Sequence, residues 1–137
     1  MAKPASGEGM AMTAETLLFF QDHAEALPLY ERLEQALLER VPGTTIRTSK
    51  TQISFYNRRS FGAVSFTPVR RAAERPPVWL TVTFGLNYQK ESPRIDAATE
   101  PYPNRWTHHV LVSSIEDINE ELLEWLEEAA AFSAAKR

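Results

Sequence analysis

The chain has 137 residues, 43% of them hydrophobic and 24% charged, and no cysteine. That length makes one domain, large enough to bury about two-thirds of its unfolded surface and to fold without a metal or disulfide. Missing cysteine excludes disulfides, thiolate metal sites and thiol chemistry, and no apolar run reaches the ~18 residues of a membrane span. The first dozen residues, MAKPASGEGMAM, lack the apolar stretch of a secretory leader. The expectation is a soluble, cytoplasmic protein with one domain over 13–132, a disordered tail over 1–12 and a short tail over 133–137.

The formal net charge of −3 conceals three unlike segments. Residues 1–43 carry three basic and seven acidic side chains, 44–113 ten and four, and 114–137 two and seven. A basic middle segment marks either an anion-binding surface or a basic sheet balanced by acidic helix faces.

Thr13 reads as the N-cap of a helix through Leu17, Leu18 and Phe20. Pro28 lacks an N–H and is suited to the first helical turn, so a second helix runs from about Pro28 to Arg40. Leu29, Leu33, Leu37 and Val41 form its apolar stripe, and Val41-Pro42-Gly43 ends it. From Thr44 the period becomes two. Thr44–Thr48, Gln52–Tyr56, Phe61–Phe66, Val78–Phe84 and Thr107–Val112 read as strands, rich in Ile, Val, Thr and aromatic residues. The short link Asn57-Arg58-Arg59-Ser60 makes the second and third an antiparallel hairpin. Arg70–Pro77 reads as an exposed loop. Ser114 and Asp117 form a capping box before a last helix whose face carries Ile118, Leu122, Trp125, Ala129 and Phe132. The predicted fold is α+β: an antiparallel sheet of about five strands, with two N-terminal helices and one C-terminal helix on one face.

Alternation in the strands divides the sheet. Ile53, Phe55, Val78, Leu80, Val82 and Phe84 make an apolar face for the helices. The opposite face carries Gln52, Ser54, Tyr56, Ser65, Trp79, Thr81 and Thr83, uncharged polar groups among aromatic bodies. Such a mixture suits a pocket, or a face covered by a loop that pairs its polar groups internally. The 21-residue segment Gly85–Arg105 reads as a long loop containing a helix start at Ser92-Pro93, with Arg94 beside it.

His108 and His109 are adjacent in a strand and face opposite sides, so they do not ligate one ion together. No metal-binding spacing, phosphate loop or nucleophile motif is present, and neither a metal nor a cofactor is expected. Lys50, Arg94 and Arg105, with one histidine, would hold a phosphate or carboxylate if the fold brought them together. Arg58, Arg59, Arg70, Arg71 and Arg75, with Tyr56 and Trp79, offer a weaker nucleic-acid reading.

The runs Lys50-Thr51-Gln52-Ile53-Ser54-Phe55-Tyr56, Ser92-Pro93-Arg94-Ile95 and Arg105-Trp106-Thr107-His108-His109-Val110 resemble a bacterial domain family of unknown function. The likeness spans roughly residues 14–130. More distantly, the layout is similar to small α+β proteins of the YdhG and YjbR kind. The resemblance implies no activity, substrate or cofactor, but its motif residues are mostly polar, as in a binding site. The expectation is a domain holding a small anionic ligand on the polar sheet face. Its site residues would be Lys50, Gln52, Ser54, Tyr56, Trp79, Arg94, Arg105, Trp106, His108 and His109. The alternatives are a nucleic-acid or protein-interaction accessory domain using the arginine loops, and an enzyme with His108 or His109 as general base.

Overall fold

The computed structural model describes residues 13–135. Helix α1, Ala14–Phe19, starts where the Thr13 hydroxyl accepts the Thr16 N–H at 3.1 Å. Helix α2, Leu27–Arg40, carries Pro28 in its first turn, where no intrahelical N–H is missed. It buries Leu29, Leu33 and Leu37 as the spacing requires, while Val41 is half-buried beyond its end. It also buries Glu34, which accepts the Tyr30 hydroxyl at 2.6 Å; burial pushes the Glu34 carboxyl above its ordinary value.

Six strands follow: β1 Thr45–Thr48, β2 Gln52–Tyr56, β3 Ser60–Ser65, β4 Leu80–Leu86, β5 Ile95–Tyr102 and β6 Arg105–Val112. They form one antiparallel sheet in the order β1-β2-β3-β4-β6-β5. The register aligns Ile53, Val64, Val82 and Val110 in a buried row against the helices. The next row runs Phe55, Gly62, Phe84 and His108. A Cβ at Gly62 would stand 3.0 Å from the Thr83 carbonyl oxygen and 3.5 Å from Leu126. Glycine there lets helix α3, Glu120–Ala135, lie close on the sheet. Leu122, Trp125, Leu126 and Ala129 of α3 close the core with α2.

Four expectations are corrected. The segment Gly85–Arg105 is not a loop: β4 runs on to Leu86, and Ile95–Tyr102 is a sixth strand. That strand, IDAATEPY, lies at the sheet edge, where Pro101 needs no outward N–H partner and where little apolar alternation is required. It returns through Pro103 and Asn104, the latter at φ 61°, into β6. Ser92-Pro93 starts no helix. Ser92 instead accepts the Arg94 N–H on its hydroxyl (3.2 Å) and the Ile95 N–H on its carbonyl (3.0 Å), a turn that launches β5.

The last helix begins at Glu120, not Ser114. Ser114 and Asp117 close only a short 3-10 turn, Ile115–Asp117, while Asn119 caps α3 by accepting the Leu122 N–H at 3.1 Å. Its far end is no tail at 133–135. Ser133 is buried and its one hydroxyl proton is shared between Asn57 Oδ1 (2.8 Å) and the Arg59 carbonyl (3.1 Å), tying α3 to the β2–β3 hairpin. The disordered tail expected over 1–12 lies outside the described residues.

Candidate functional site

The structure divides the ten residues singled out by sequence. Gln52, Ser54, Tyr56 and His109 share the sheet face turned away from the helices. There Gln52 Nε2 donates to Ser54 Oγ at 2.7 Å, Arg47 lies 4.3 Å over the Tyr56 ring, and His109 Nδ1 is 2.9 Å from Thr83 Oγ1. Part of this face is covered by the β3–β4 connection: the Thr81 hydroxyl donates to the Thr67 carbonyl at 2.7 Å. Further on, Arg70 reaches Asp96 of β5 at 2.9 Å. The connection is less exposed than expected, since Arg70 and Arg75 are half-buried. Trp79 stands at its end, edge-on to Phe66 with ring centroids 5.8 Å apart, and Arg75 lies 5.2 Å over the indole.

His108 faces the helices and is fully buried. Its ring stacks on Phe84 with centroids 4.8 Å apart and 8° between planes. Nε2 accepts the Lys90 N–H at 2.9 Å, which leaves the proton on Nδ1, 3.4 Å from the Phe84 carbonyl. Burial pushes His108 and His109 alike below the ordinary histidine value. The two therefore have different roles in the fold, one packed in the core and one on the polar face.

The three cations expected to converge are apart. Arg94 sits before β5, at the sheet edge opposite β1, four strand steps from β2 and so about 19 Å away at ~4.8 Å per step. Its guanidinium is occupied by Asn119 Oδ1 (2.9 Å), Glu121 Oε1 (3.1 Å) and the Asp117 carbonyl (2.7 Å). Burial acts to raise the Asp117 carboxyl, but hydrogen bonds from Ser113 and Ser114, aided by Arg94, hold it below its usual range. Arg105 opens β6 at the other end of the sheet and lies 5.8 Å over Phe132. Trp106 pairs across from Leu86 on the helix side. Lys50, unlike Arg94 and Arg105, has no side-chain hydrogen bond, ion pair or ring contact among the described residues.

Lys50 lies at the lip of a cavity of about 780 Å³ between α1 and the β1–β2 turn. Helix α1 is held against β1 by the Thr16 and Thr48 hydroxyls, 3.2 Å apart. An aromatic cluster forms the wall: Phe66 stacks on Phe19 (5.5 Å) and on His23 (3.9 Å). Leu18 adds apolar surface, and it and its neighbour Leu17 are 64% and 50% exposed. The opposite lip is the turn itself. Ser49 Oγ accepts the Thr51 and Gln52 N–H groups, both at 3.3 Å, so the turn presents Lys50 between two hydroxyl residues in a defined shape. Glu15 and Asp22 line the same opening from the α1 side.

Sequence reasoning picked Lys50 but missed Leu18, Phe19, Asp22 and His23, which reach the cavity from 27 or more positions away. The available signal was in α1, where adjacent Leu17, Leu18, Phe19 and Phe20 are more than one helical face can bury. Among the described residues, no group of three or more His, Asp or Glu is placed to hold a metal. No described helix is long and apolar enough to cross a membrane.

These features define an α+β domain with one six-stranded antiparallel sheet, three α-helices and a cavity with an apolar wall at the α1 end. The family described as "Domain of unknown function (DUF5655)" matches residues 18–133, and the chain belongs to it. No curated protein and no solved structure matches the chain.

Proposed function

We propose that this protein is a binding domain for a small anionic molecule with an apolar body, held in the cavity between α1 and the β1–β2 turn. The observation that carries the reading is Lys50, a cation without a partner among the described residues, on the rim of a cavity walled by Leu18, Phe19 and Phe66. A cavity of this size with an apolar wall and few polar groups matches small-molecule sites in general. The Thr51 hydroxyl beside Lys50 supplies a further donor to an anionic head group, whereas Ser49 already donates to the Gln52 carbonyl and Thr48 is bonded to Thr16. The arginines of the nucleic-acid alternative are largely engaged: Arg70 with Asp96, Arg71 with Glu74 and Arg75 with Trp79.

The test is a thermal-shift and calorimetric comparison of hydrocinnamate, phenyl phosphate and the neutral amide of hydrocinnamate, using the full chain and Lys50→Ala. A ligand at a hundredfold its dissociation constant stabilises by about 2.7 kcal/mol, a clear rise in melting temperature. The anions are expected to bind more tightly than the amide. Lys50→Ala should weaken them by roughly fivefold, the worth of about one exposed charge pair. No binding by either anion, or binding that Lys50→Ala leaves unchanged, would overturn the reading.

A further inference from the structure

The cavity carries charge of both signs, and neither sign is neutralised within the described protein. Lys50 lines it from the β1–β2 turn; Glu15 and Asp22 line it from the α1 side. None of the three makes an ion pair or side-chain hydrogen bond among the described residues. Arg40, Arg70, Lys90 and Arg94, by comparison, each meet a carboxylate at 2.6–3.1 Å. Around this opening, opposite charges line the same cavity and make no ion pair with one another.

That arrangement discriminates among ligands. A singly charged anion gains from Lys50 but is opposed by the fields of Glu15 and Asp22, and a singly charged cation meets the reverse. A molecule with both charges gains on each side. We infer that the ligand is a zwitterion, an ammonium and a carboxylate on one aryl or branched-alkyl body. Its carboxylate lies at Lys50, its ammonium at Asp22 with Glu15 adding to the field, and its body against Phe19 and Phe66. The inference rests on the proposed binding function and narrows its ligand class from anion to zwitterion.

Calorimetry on the full chain tests it with four probes. Phenylalanine and para-aminomethylbenzoate are zwitterions with short and long charge separation; hydrocinnamate keeps only the carboxylate, and phenethylamine only the ammonium. At least one zwitterion is expected to bind tenfold or more tightly than both singly charged probes. Asp22→Asn should bring that zwitterion down to the affinity of hydrocinnamate without weakening hydrocinnamate itself. Lys50→Ala should weaken every carboxylate probe. Both residues are exposed, and a thermal melt of each variant without ligand checks that it folds. If hydrocinnamate binds as tightly as either zwitterion, the zwitterion inference falls while the anion-binding function stands. If phenethylamine alone binds, or no probe binds, both fall.

Discussion

His108 and His109 are consecutive in β6 and lie on opposite faces of the sheet, the first stacked on Phe84 in the core and the second beside Thr83 on the polar face. Both are held below the ordinary histidine value by burial. The unfolded chain therefore takes up protons near pH 6.5 before the folded one does. Their contribution to stability is complete above about pH 6.5 and is lost as pH falls through that region. A two-dimensional NMR titration is expected to place both midpoints below 6.5. A midpoint above 6.5 for His108 would contradict the neutral, Nδ1-protonated ring described above. His108→Ala should cost about 2–4 kcal/mol in a denaturant melt, because it removes the stack and leaves the Lys90 N–H without its acceptor.

Arg94 fastens the entry to β5 onto the start of α3 through Asn119, Glu121 and the Asp117 carbonyl. Arg94→Ala should lower stability by about 1–2 kcal/mol, since hydrogen bonds to a charged group are stronger than neutral ones but this one is partly exposed. Affinity for a ligand in the α1 cavity should not change. A loss of ligand affinity with stability intact would assign Arg94 to the binding site instead.

Ser133 links α3 to the β2–β3 hairpin: its one hydroxyl proton is shared between Asn57 Oδ1 and the Arg59 carbonyl, and its oxygen accepts the Arg59 N–H at 3.2 Å. Ser133→Ala leaves those buried groups with fewer partners and should cost roughly 1–2 kcal/mol. Urea unfolding of this variant should show a lower midpoint with an unchanged slope. An unchanged midpoint would mean that the Ser133 hydroxyl bonds to Asn57 and Arg59 contribute nothing to stability.

The elements with strong local signals were legible in sequence. Gln52–Tyr56 alternates cleanly, Leu29, Leu33 and Leu37 repeat at helical spacing, and Pro28 falls where a helix tolerates it. The misread elements lacked such a signal. Strand β5 is an edge strand with alanines and Pro101, and is held in place by β6 through backbone bonds that side-chain pattern does not encode. The start of α3 was placed at the Ser114–Asp117 capping box, but that box closes only a turn and Asn119 caps the long helix.

By itself the sequence determined the α+β class, most strand positions, the opposition of His108 and His109, and the polar character of one sheet face. Each follows from backbone periodicity, which acts over neighbouring residues. The tertiary structure alone decided which histidine entered the core, because that depends on the row shared with Phe55, Gly62 and Phe84. It also decided that Arg94 is tied to α3 while Lys50 has no partner among the described residues, and that α1 and the β1–β2 turn border a cavity. Those outcomes depend on side chains brought together from distant parts of the chain, and no local period records where such segments meet.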